Sequence, residues 1–98
     1  MPAYLVADID VTDEKAYEEY KKITPGAIAA YGGRFLVRGG KVDPKEGNWA
    51  PTRLVVVEFP SMEQAKKFYD SPEYAPALAI RLKHARSRLV LAEGATPL

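Results

Sequence analysis

Residues 52–59, TRLVVVEF, constrain this chain more than any other stretch. Pro51 precedes the run and Pro60 stops it, and the β-branched residues between them specify a strand. Alternation sends Arg53, Val55, Val57 and Phe59 to one side and Leu54, Val56 and Glu58 to the other. One side is apolar enough for a core. The other is apolar with a carboxylate in it, and that combination shapes the rest of the reading.

Around this strand the elements fall in the order βαββαβ. Residues 3–11, AYLVADIDV, form a strand that alternates only loosely. Thr12 is the expected N-cap of a helix carrying Tyr17, Tyr20, Ile23, Ala27, Ile28 and Tyr31 at steps of three and four. Thr24-Pro25 predicts a kink with a new N-cap, and Gly32-Gly33 a C-terminal stop. Residues 34–42 predict a second strand, with a bulge or bend at Gly39-Gly40. Ser61 and Gln64 have the spacing of a capping box. Ser71-Pro72 restarts the helix that follows, and residues 87–93 form the last strand. The whole chain, 1–98, reads as one α+β domain with a flexible tail at 94–98. It is a ferredoxin-like layer: four antiparallel strands with the helices on one face.

The second face of that sheet is the problem. It is expected to carry Tyr4, Val6, Asp8, Leu36, Arg38, Leu54, Val56 and Glu58. Such a surface is too apolar to leave in water and too charged for an ordinary core. A second copy of the chain covering it answers both objections. Leu36, Leu54 and Val56 are then interface residues, and Trp49, in the loop 43–51, is an anchor reaching the partner.

Composition narrows the classes. Hydrophobic residues make up 47% of the chain and charged residues 28%, a globular balance. No cysteine is present, so disulfides, thiolate metal sites and a cysteine nucleophile are excluded. No run approaches the roughly 18 apolar residues of a membrane span, and no secretory signal is visible, so the expected compartment is cytoplasmic. A net charge of +1 gives no general attraction to nucleic acid or anionic membrane. The basic run Arg81, Lys83, His84, Arg86, Arg88 raises RNA as a rival, since RNA-recognition domains share this element order. Those domains need aromatics on the open sheet face, and the third strand offers none there. One histidine, with no acidic cluster at ligand spacing, makes a metal site unexpected, and no cofactor is expected.

The stretches DVTDEKAYEEY (10–20), YGGRFLVRGG (31–40) and VVVEFPSMEQAKKFYDSPEY (55–74), with Arg81 beyond, resemble the bacterial domain-of-unknown-function 1330 family. The resemblance covers nearly the full chain. It implies membership of the dimeric α+β-barrel superfamily: a ferredoxin-like protomer, a two-fold dimer and any ligand between the sheets. It supplies no reaction. Distant relatives include cofactor-independent monooxygenases, haem-using peroxidases and isomerases.

Candidate chemistry centres on Glu58 and Arg38. A carboxylate on a covered face costs several kcal/mol unless it is paired, so Glu58 is either a ligand-orienting group or general base, or half of an ion pair with Arg38 or with an arginine of the other subunit. Arg38 could clamp a substrate carboxylate or serve as that counter-charge. Tyr4, Asp8, Tyr74 and Arg81 complete the expected ligand-binding set. Two readings stay open: a homodimer binding a small organic molecule, as a cofactor-independent enzyme or a binder, and a structural dimer whose charges only fix the interface.

Overall fold

The computed structural model describes residues 1–95. Its elements are β1 (Ala3–Val11), α1 (Glu14–Ala30), β2 (Arg34–Arg38), β3 (Arg53–Phe59), α2 (Met62–Tyr69), α3 (Ala75–His84) and β4 (Ala85–Glu93). The four strands form one antiparallel sheet in the order β2-β3-β1-β4. This is the ferredoxin-like arrangement, with all three helices on one side.

One expectation is corrected here. The sheet is open, with β2 and β4 as its two edges, and it does not close into a barrel. Closure requires the edge strands to meet, and in this order two inner strands separate them. The tail expected at 94–98 lies partly outside the described residues. Within them, Gly94 N–H donates to Pro2 O at 2.8 Å, continuing the pairing past β4.

The core lies between the helices and the odd-numbered side of β1 and β3. Leu5, Ala7 and Ile9 meet Val55, Val57 and Phe59 there, under Tyr17, Tyr20 and Ile28 of α1 and Phe68 of α2. Rings tie the layers together: Phe68 stands 5.1 Å from Phe59 and 4.4 Å from Tyr74, centroid to centroid.

Local signals were mostly sound but misplaced by a residue or two. Asp13, not Thr12, caps α1, accepting from Ala16 N–H at 3.1 Å. Thr24 does not start a new segment, because α1 runs through Pro25 as one helix and the Thr24 hydroxyl donates to Tyr20 O at 2.7 Å. That back-bond satisfies the hydroxyl inside the helix. Ser61 caps α2 through Gln64 N–H as expected, but the Gln64 side chain reaches across to Tyr31 O instead of closing a capping box. Gly32, at φ +77°, ends α1 in the left-handed region.

The bend in β2 falls earlier than Gly39-Gly40. Phe35 pairs with Val57 and Val37 with Val56, so two steps along β2 match one along β3 and Leu36 is bulged out. The slip turns over everything beyond it. Val37 joins the open face, and Arg38, opposite Val55, moves to the helix side. Gly39, at φ +71°, then takes the chain out of the strand.

Candidate functional site

Side chains expected to surround one pocket are divided by the sheet into two groups. Tyr4, Asp8 and Glu58 lie on the open face, in register with one another's strands. Tyr74 and Arg81 lie among the helices, both buried. Arg38 belongs with the second group, its guanidinium 4.3 Å above the Phe35 ring.

On the open face the carboxylates of Glu58 and Asp8 are answered from within the chain. Glu58 Oε1 accepts from Arg34 Nε at 2.9 Å, and its other oxygen accepts from the Tyr4 hydroxyl at 3.3 Å. The expected Glu58–Arg38 pair is therefore replaced by Glu58–Arg34, because the bulge carries Arg38 away while Arg34 stays opposite Glu58. Asp8 Oδ2 accepts from Trp49 Nε1 at 2.8 Å and from Arg88 at 3.2 Å. The left-handed pair Gly47 and Asn48 (φ +80° and +55°) turns the loop just before Trp49, and the indole folds back onto its own sheet. Open grooves of about 480 and 500 Å³ flank it. The apolar residues of the face stay partly or largely uncovered: Leu36 is 47% exposed, Trp49 48% and Val90 60%.

A second site, on the other side of the sheet, escaped the sequence reading. A cavity between α1 and the sheet is walled by apolar side chains, among them Ile9, Ile28, Phe35 and Phe68, with Tyr17, Lys21, Arg38 and Arg53 also lining it. It leaves about 30 Å³ of room for water centres, enough for about two waters. The Tyr17 hydroxyl and Arg53 Nε are both buried without a well-formed hydrogen bond, although the Arg53 side chain lies close enough to the phenol to favour its ionised form. Such orphaned groups are rare in folded proteins and cost free energy. Burial pushes the Tyr17 phenol above its ordinary pKa, the neighbouring Arg53 charge only partly countering it.

The far wall of the cavity is a polar chain. The Tyr20 and Tyr74 hydroxyls are 2.7 Å apart, and Arg81 Nε donates to Tyr74 at 3.3 Å while its terminal nitrogen bonds Ser87 Oγ. Burial pushes the Tyr20 phenol strongly up, with Tyr74 adding to it. For Arg81 burial opposes the charge, but Tyr74, Tyr20 and Tyr69 together outweigh it, so the guanidinium's pKa lies above its ordinary value. Ser71 holds Tyr74 in place, its hydroxyl accepting from Tyr74 N–H at 3.1 Å. No group of histidine, aspartate and glutamate side chains able to hold a metal ion occurs among the described residues. Among them, too, no helix is long and apolar enough to cross a membrane.

The chain belongs to the family described as Domain of unknown function (DUF1330), whose pattern matches residues 2–95. No curated protein sequence matches it. Among solved structures it resembles a protein of unknown function from Rhodopseudomonas palustris, with a TM-score of 0.74, 17% identity, and 98% of this chain and 84% of that one covered. A dimeric ferredoxin-like protein from Jannaschia sp. CCS1 superposes with a TM-score of 0.70 and 14% identity, over 96% of this chain and all of the other. A cofactor-independent oxygenase from Streptomyces nogalater gives 0.57 and 12% identity, over 99% and 96% of the two chains. At these identities the likeness is one of fold.

Proposed function

We propose that the protein binds a small organic molecule in the cavity between α1 and the sheet, and that it works as a homodimer joined through the open face. The observation that carries the binding reading is the Tyr17 hydroxyl, buried without a partner at the wall of an apolar cavity. Predominantly apolar walls with a few unsatisfied polar groups are what small-molecule sites offer. The open face is the poorer candidate for a ligand, since its central carboxylates, Glu58 and Asp8, already have partners. Its leftover feature is uncovered apolar surface, which a second copy would bury. Dimeric association of the similar Jannaschia protein supports that half of the reading. The oxygenase likeness supports nothing finer than the fold, so the proposal is one of binding.

The test is a fragment screen by amide NMR on the purified protein, together with native mass spectrometry. Fragments should shift amides around Tyr17, Ile28 and Arg53, and the intact mass should be that of two chains. Hits confined to Val6, Leu54 and Val90 would return the ligand to the open face and overturn the cavity reading.

A further inference from the structure

Two arginines reach the cavity mouth with no carboxylate to answer them. Among the described residues neither Arg38 nor Arg53 makes a salt bridge. Lys21, the third cation at the mouth, is paired with Glu18 at 3.0 Å. Arg53 is the more constrained of the two arginines. Its Nε is buried and unpartnered, and its guanidinium packs where Gly39 has no side chain, since a Cβ there would stand 2.6 Å from Arg53 Nη1. The left-handed Gly39 thus makes room for the arginine as well as turning the chain.

A second cleft, of about 180 Å³, adjoins the cavity, and Ile9, Tyr17, Lys21 and Arg53 line both. Tyr17 and Arg53 therefore stand at the boundary between an open cleft and an apolar chamber. Glu14 also lines the cleft but does not pair with Arg53. One molecule suits both compartments: an anionic head for the arginine and a short apolar body for the chamber. A planar carboxylate matches the guanidinium fork in two parallel hydrogen bonds, and its oxygen can also accept from the Tyr17 phenol. The chamber's room, equal to about two waters, is that of a short alkyl chain.

Resting on the binding reading above, we propose that this site takes short-chain monocarboxylic acids, with the carboxylate on Arg53 and Tyr17 and the alkyl body between Ile28 and Phe35. Arg38, exposed and stacked on Phe35, lines the chamber from the edge strand.

The full chain, labelled for amide NMR, is titrated with acetate, butyrate and butyramide. Butyrate should give saturable shifts at Tyr17, Gly39 and Arg53, binding about fourfold more tightly than acetate for each added methylene. Butyramide, of the same shape but neutral, should bind at least about tenfold more weakly, as should butyrate to Arg53→Gln. Equal binding of butyrate and butyramide at the cavity would overturn the acid proposal and leave the cavity reading standing. Butyrate shifts confined to Arg86 and Arg88 would overturn it as well. No response from either ligand at the cavity would overturn both. If Arg53→Gln fails to fold, the comparison of butyrate with butyramide on the unaltered protein decides.

Discussion

Arg34 Nε donates to Glu58 Oε1 at 2.9 Å, across the register pair that joins β2 to β3. The arginine side chain is 71% exposed and the carboxylate 25%, so in an isolated protomer water screens the pair. Tyr4 holds the other carboxylate oxygen from β1. The row Arg34–Glu58–Tyr4 thus fixes three strands in register across the open face without help from a ligand.

The pair's strength should report whether that face is covered. In a double-mutant cycle of Arg34→Met and Glu58→Gln, read by urea denaturation, the coupling in dilute protomer should stay below about 1 kcal/mol. When a partner covers the face, desolvation should raise it to about 2 kcal/mol or more. A coupling that does not change with protein concentration would place the pair outside any interface.

Val56 is the simplest probe of association. It sits in the middle of the open face, next to Val6 on β1 and Val37 on β2. Val56→Asp puts a second carboxylate two residues from Glu58, on the same face and without a counter-charge. Light scattering should show a monomer, with the far-ultraviolet signal of the fold retained. A dimer of ordinary stability would remove the open face as the contact surface.

Much of this fold could be read from residue patterns. Alternation in 53–59 and the three-four spacing of Tyr17, Tyr20, Ala27 and Ile28 placed the core correctly. Strict alternation through Leu36 puts Arg38 on the open face, and a bulge breaks that alternation without any glycine or proline at the spot. Counting back from Phe35 does place Arg34 beside Glu58, so the true partner was legible and overlooked. The cavity was not. Tyr17 sits at ordinary core spacing, and nothing in the chain's order reveals that its hydroxyl meets no partner or that Gly39 makes room for Arg53. In α3 Leu82 continues the four-residue spacing of Tyr74 and Leu78 yet is 66% exposed, while Ala77 and Arg81 are the residues buried. A buried arginine reads as a polar position until its tyrosine partners are known.

Alkaline pH should weaken the fold. Tyr17 and Tyr20 both ionise at higher pH when folded than their ordinary value near 10, chiefly because burial disfavours the phenolate. Above about pH 10 the unfolded chain releases those protons while the folded chain keeps them. The stabilisation is therefore complete below pH 10 and declines above it, by up to about 1.4 kcal/mol per pH unit for each tyrosine. Absorbance near the phenolate band should show Tyr17 and Tyr20 ionising at higher pH than an exposed tyrosine. All six tyrosines titrating together in folded protein would contradict the buried positions of this pair.

Tyr17 and Tyr20, stacked at 4.6 Å, should respond in opposite ways to the same substitution. Tyr20→Phe removes a hydroxyl bonded to Tyr74 at 2.7 Å and should cost about 1 kcal/mol. Tyr17→Phe removes a buried hydroxyl that has no partner, so thermal unfolding should show no loss of stability or a gain of about 1 kcal/mol. The proposed ligand would give that hydroxyl a partner beside the apolar cavity and Arg53. Tyr17→Phe should accordingly weaken butyrate binding while leaving the protein as stable as before. If it destabilises the protein as much as Tyr20→Phe does, the hydroxyl has a structural partner and the cavity loses its best polar group.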